Sequence, residues 1–193
     1  MFFKREIITK WSIGAKIMAK KSVQQLHEDE MKVLHELQNN AKENIDKIAK
    51  HCGFSKQKVS RIIKKLEDHR IIWGYTAIVD YRLSGRKEFI LLVKRTNKAL
   101  DKKIVDKIDS VDLEDLASPI GVHIQTSCFI HGKYDWMICF SAEDLFQARK
   151  FCEVLNTEFP GAIQQNDIQQ VLYCVRQQYI FNPDRKQLRD LME

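Results

Sequence analysis

The chain has 193 residues, a net charge of +6, and 30% charged against 44% hydrophobic side chains, with only 7 Gly and 3 Pro. That length accommodates two small cored domains, and the composition excludes a disordered, collagen-like or Pro-rich chain. No uncharged apolar run reaches the roughly 18–20 residues that a membrane-spanning helix needs, so no membrane is expected among its partners.

Charge is divided unevenly: residues 1–25 carry +5, residues 26–86 carry +3 and residues 87–193 carry −2. A polyanion is therefore expected to meet the first half of the chain. Residues 1–25 mix six basic side chains with Phe2, Phe3, Ile7, Ile8 and Trp11 and lack a small-residue cleavage site. They read as a basic N-terminal extension, loosely ordered, and not as a signal peptide. From residue 26 the period tightens. Leu26, Val33, Leu34 and Leu37 share one helical face, and Glu28, Asp29 and Glu30 crowd the first turn, which predicts a helix over 28–40. Ile45, Ile48, Ala49 and Cys52 predict a short second helix, closed by Gly53. Ser55 stands at the N-cap of a third helix, whose buried stripe is Val59, Ile62, Ile63 and Leu66.

Two helices joined at a glycine form a helix-turn-helix, whose second member lies in the DNA major groove. With the apolar stripe turned inward, the outward set is Lys56, Gln57, Lys58, Ser60, Arg61, Lys64 and Lys65, with Ser55 at the helix start. Gln can bond an adenine edge in two places, Arg can grip guanine, and Lys and free helix-start N–H groups hold phosphates. These eight residues are the candidate DNA-binding set. The competing reading is a solvated amphipathic face.

After Leu66 the period changes. IIWGYTAIVDY (71–81) reads as a strand, with a turn over 83–86. The following segments read as a strand (88–95), a helix (100–109), two strands turning at Gly132 and Lys133, a helix (144–159) and a last strand in VLYCVRQQYIF (171–181), with a terminal helix over 185–193. The order β-α-β-β-α-β is the ferredoxin-like unit, whose uncovered sheet face predicts a homodimer. The expected architecture is α+β: an extension (1–25), a winged-helix-like helix-turn-helix domain (26–72), a linker strand and turn (73–86), a ferredoxin-like effector and oligomerisation domain (87–182) and a C-terminal extension (183–193). Five scattered cysteines without a CxxC pair fit buried thiols in a reducing cytoplasm; neither a metal site nor a cofactor is expected, and no catalytic residues are assigned.

Residues 26–80, including Leu26, Leu34, Leu37, Ala49, Gly53, Ser55, Val59, Arg61, Leu66, Glu67, Ile72, Gly74, Tyr75 and Asp80, resemble the N-terminal signature of the Lrp/AsnC (feast/famine) transcriptional regulators. HGKYDWMICF resembles that family's glycine–any–tyrosine–aspartate turn ahead of an apolar strand. The resemblance implies a non-enzymatic regulator of double-stranded DNA, a homodimer assembling further to forms such as an octamer, and an amino acid or related effector. It transfers Gly132, Lys133, Tyr134 and Asp135 as the ligand loop. There Gly132 would admit a carboxylate to the backbone and Asp135 would receive an ammonium group, against the plainer reading of a hairpin turn. The chain departs from the pattern at Arg70, where the family usually has Gly, between Arg95 and Gly132, which is about ten residues longer, and at QQNDIQQ. His123 and His131 raise an alternative: siroheme decarboxylases have the same build. A non-specific, chromatin-like DNA binder and a sensing protein without DNA are the other readings.

Overall fold

The computed structural model describes residues 28–184 and Arg189. The basic extension, Leu26 and the terminal helix expected over 185–193 lie outside these residues, apart from Arg189. The chain divides into two compact units, residues 28–78 with 176–183, and residues 79–175 with 184.

The first unit begins with three helices, α1 (Glu28–Asn39), α2 (Ile45–Cys52) and α3 (Lys56–Asp68). Local chemistry fixes their ends. The Asn44 side chain accepts the Asp46 N–H and so caps α2, and the Ser55 Oγ accepts the Lys58 N–H at 3.2 Å and caps α3. Gly53, at φ 70°, closes α2 in the left-handed conformation. Val33, Leu37, Ile48, Ala49, Val59, Ile62 and Leu66 form the core between the helices, each contributing on the order of 1.5–3 kcal/mol of transfer free energy for the larger side chains.

The end of α3 shows what the backbone demands at position 70, where the resemblance leads one to expect Gly. The Arg70 N–H donates to the Glu67 carbonyl and the Ile71 N–H to the Leu66 carbonyl, the paired bonds of a Schellman stop. Arg70 itself takes φ 55°. A residue with a Cβ is strained in that region, where glycine is not.

Beyond Ile72 the structure corrects the expected strand. The segment 73–80 has no regular secondary structure and no ladder partner among the described residues, and Trp73 is 95% exposed. A strand requires a hydrogen-bonded neighbour, and none of the described residues supplies one. The Tyr75 hydroxyl donates to Glu67 Oε1 at 2.9 Å, and a 3-10 turn at Tyr81–Ser84 ends on Gly85 at φ 71°.

The second unit contains β1 (Lys87–Arg95), α4 (Lys102–Ser110), α5 (Leu113–Ala117), β2 (His123–Phe129), β3 (Trp136–Ala142), α6 (Leu145–Glu158) and β4 (Ile163–Gln170). The strands form one antiparallel sheet in the order β2-β3-β1-β4, the ferredoxin-like arrangement. Phe89, Leu91 and Val93 pair across β3 with Phe140, Ile138 and Trp136, and all six point into the core. Phe140 meets Phe151 of α6 edge-on at 5.2 Å. On the opposite sheet face Ile90, Leu92, Met137 and Cys139 are half-buried. Arg86 holds the sheet's end: its Nη2 donates to the carbonyls of Gly121 (2.6 Å) and Ser141 (2.9 Å) and its Nε to Ser141 Oγ.

Two further expectations are revised. The last strand of the sheet is Ile163–Gln170, not 171–181. The Thr96 N–H donates to the Ala162 carbonyl as the chain leaves α6, and β4 then pairs with β1 from Ile163 to Gln170. The apolar segment that follows makes only a small hairpin, β5 (Arg176–Gln177) with β6 (Ile180–Phe181), which joins the first unit. The longer segment between Arg95 and Gly132 contains α5, started by the Asp112 side chain accepting the Glu114 N–H.

Arg70→Gly is expected to stabilise the protein by up to about 1 kcal/mol, by removing the left-handed strain. Urea unfolding should show a higher midpoint at unchanged m, whereas Arg70→Ala, which retains a Cβ, should show no such gain.

Candidate nucleic-acid interface

Burial of Val59, Ile62 and Leu66 determines where every other side chain of α3 lies. Gln57, Arg61 and Lys64, at i, i+4 and i+7, form one solvent-exposed stripe. Ser60 is also exposed. Lys56 is exposed and pairs with Asp46 of α2 at 2.6 Å. Ser55 is spent on the cap, with its neighbouring helix-start N–H groups beside it.

Lys58 and Lys65 behave differently. They stand seven residues apart on the flank facing α1. The Lys58 Nζ reaches Asp29 Oδ2 at 2.7 Å and lies 3.9 Å from the centre of the Phe54 ring. The Lys65 ammonium pairs with Glu30, which is only 7% exposed. Sequence reading assigned Asp29 and Glu30 to the helix dipole alone. The signal it missed is two adjacent acids on α1 matching two lysines seven apart on α3.

The second candidate site is the β2–β3 turn. Gly132 has φ 154°, and no atom lies within 4 Å of where a Cβ would stand, so its backbone is approachable. The Tyr134 hydroxyl donates to Asp167 Oδ2 of β4 at 2.7 Å, and that carboxylate raises the phenol's pKa above its ordinary value, with burial adding to the effect. The Lys133 ammonium lies 5.3 Å from the Tyr134 ring centre. Asp135 is already engaged: its carboxylate accepts the Arg95 N–H at 2.9 Å and pairs with Lys94 at 3.2 Å. Burial raises the Asp135 pKa, but the Arg95 N–H and the Lys94 ammonium outweigh it and hold the carboxyl below the usual range. Of the four expected loop residues, Asp135 is thus a tie between strands, and Asp167 is a neighbour that sequence reading did not include.

His123 and His131 are not brought together. They flank the two ends of β2, eight residues or roughly 25 Å apart in extended chain. His123 lies 3.3 Å from Glu114, whose other oxygen accepts the Ile124 N–H. Among the described residues no group of three or more His, Cys, Asp or Glu is placed to hold a metal ion. Cys52, Cys128, Cys139 and Cys152 are free thiols, and burial raises the Cys152 thiol to about 11. No helix of the described residues is long and apolar enough to cross a membrane.

A three-helix unit with a Gly53 turn and an exposed polar stripe on its third helix is a helix-turn-helix domain, and residues 24–72 match the family model described as a helix-turn-helix domain. An uncharacterized HTH-type transcriptional regulator of Bacillus subtilis (strain 168), YugG, is 25% identical over 128 residues, covering 65% of this chain and 73% of YugG. Among solved structures, an AsnC family transcriptional regulator from Agrobacterium tumefaciens superposes with a TM-score of 0.62 at 16% identity, over 83% of this chain and 99% of that one. A transcriptional regulator from Neisseria meningitidis, solved as a complex with L-Met, gives 0.61 at 17% identity, over 83% and 98%. The chain shares the two-domain α+β fold of these solved regulators.

The pull on Asp135 sets a pH dependence. A carboxyl whose folded pKa lies below its unfolded value stabilises the fold above the unfolded pKa, and that stability is lost as pH falls through the folded pKa. Asp135→Asn should therefore lower thermal stability at neutral pH, and the difference from the parent should vanish as pH falls through the carboxylate range.

Proposed function

We propose that the protein is a DNA-binding transcriptional regulator acting as a homodimer or larger homo-oligomer in the cytoplasm, without catalysis and without a cofactor. The observation that carries this reading is the stripe Gln57, Arg61, Lys64, exposed on the second helix of a helix-turn-helix. In the major groove Gln57 suits an adenine edge and Arg61 a guanine edge, while Lys64, Lys56 and the N–H groups at Ser55 suit phosphates. The match to the helix-turn-helix model and the likeness to YugG, an HTH-type transcriptional regulator, support the same reading.

Dimerisation is proposed through the half-buried apolar face of Ile90, Leu92, Met137 and Cys139, which a second copy would cover. Two-fold pairing would space two recognition helices about one DNA turn, roughly 34 Å, apart. The relative solved with L-Met supports an amino acid or related effector at the Gly132–Asp135 turn, a ligand that would act by favouring one packing of dimers over another. In that role Gly132, Lys133 and Tyr134 would meet the ligand, while Asp135 would hold the turn.

Fluorescence-anisotropy titration against genomic fragments at two salt concentrations tests the proposal. A selected subset of fragments that stays bound at the higher salt supports it. Uniform binding that collapses with salt would point to the chromatin-like alternative, and no binding would overturn the DNA reading. On a selected site, Arg61→Ala and Gln57→Ala should each cost about 1–3 kcal/mol and relax preference at one base pair. Lys64→Ala should weaken all sequences alike and reduce the slope of log affinity against log salt by about one.

A further inference from the structure

The two ion pairs between α1 and α3 have a consequence for which DNA the protein holds. Lys58 and Lys65 belong chemically with Lys56 and Lys64, and a sequence reading places all four on phosphates. The structure engages two of them from the other side: Lys58 is between Asp29 and the Phe54 ring, and Lys65 is on the buried carboxylate of Glu30. This flank adjoins the stripe that faces the groove, since Arg61 lies three residues from Lys58 and four from Lys65. The pairs therefore bear on α3 at two levels, within its first turn and within its last.

We propose that Asp29 and Glu30 are specificity-determining positioning residues. They withhold two lysine charges from the DNA backbone and fix the attitude of α3, so that affinity depends more on base contacts of Gln57 and Arg61 and less on sequence-blind phosphate contacts. The reasoning rests on the DNA-binding reading above. Each cation that neutralises a phosphate adds about 0.9 to the steepness with which affinity falls with salt, for every sequence equally. A lysine retained by an acid on its own protein makes no phosphate contact in either class of site. Removing that acid releases the lysine to any phosphate within reach of its four-carbon stem.

The inference predicts different outcomes for the two ends of each pair. The full-length protein, with Asp29→Asn, Lys58→Met, Glu30→Gln and Lys65→Met variants, is titrated by anisotropy against a selected fragment and a mixed-sequence duplex across a salt series. Asp29→Asn is expected to tighten mixed-sequence binding several-fold, to steepen its salt slope by about one and to narrow the ratio between selected and mixed DNA. Lys58→Met is expected to leave the mixed-sequence affinity and slope unchanged while weakening the selected site. The charge-swapped double variant Asp29→Lys with Lys58→Asp, which restores the pair with its ends exchanged, should recover the parental ratio. Glu30→Gln and Lys65→Met should follow the same pattern, with thermal unfolding monitored because Glu30 is buried. A salt slope that falls by about one in Lys58→Met would make that lysine a phosphate ligand and overturn the inference, as would an Asp29→Asn protein with parental affinities and ratio. Failure of the unsubstituted protein to bind either duplex would instead overturn the DNA reading itself.

Discussion

The inward packing of Val59, Ile62 and Leu66 is the constraint on which the candidate interface depends. A helix has one circumference, and once roughly a third of it is committed to the core, the remaining positions have fixed outlooks. Gln57, Arg61 and Lys64 go to solvent because Val59, Ile62 and Leu66 do not. Lys58 and Lys65 fall on the border between the two regions, within reach of α1. The Gly53 turn and the Ser55 cap then set where this circumference begins, so local backbone chemistry and core packing together decide which side chains a duplex can meet.

The second unit obeys a comparable rule in two dimensions. Alternation along β1 sends Phe89, Leu91 and Val93 under α6 and leaves Ile90 and Leu92 on the other side. The helices α4 and α6 are tied together by the Lys107–Glu158 ion pair and cover one face only. The other face is apolar enough to favour coverage yet interrupted by Asp167 and Gln169 opposite Leu92 and Ile90. That mixture suits an interface more than an interior.

Legibility in the sequence followed the strength of local signals. The three helices were readable because each has a period, a cap or a glycine stop, and those signals do not depend on distant partners. The β4 strand was not readable: Gln164, Gln165, Asn166, Asp167, Gln169 and Gln170 leave only Ile163 and Ile168 to mark a buried side. It is a strand because β1 presents an open edge where the chain emerges from α6, a fact of topology that composition does not carry. The apolar segment after it was misread for the converse reason, since β-branched and aromatic residues without a neighbouring strand do not make a ladder. At the candidate sites, residue type was a good guide to exposure and a poor guide to partnership. Asp135 and Lys58 are both already held by neighbours that sequence spacing alone did not single out.

Among the described residues, the exposed Trp73 gives the molecule a built-in optical contrast. It lies in the first unit, while Trp136 is only 8% exposed, stacked on Phe129 at 5.5 Å and edge-on to Phe159 at 6.3 Å in the second. The indole of Trp73 emits from water, and a soluble quencher such as iodide has free access to it, whereas the indole of Trp136 is shielded. Covering the connector by another chain or a ligand would shift the red, quenchable component and leave the blue one in place, and loosening of the sheet domain would do the reverse.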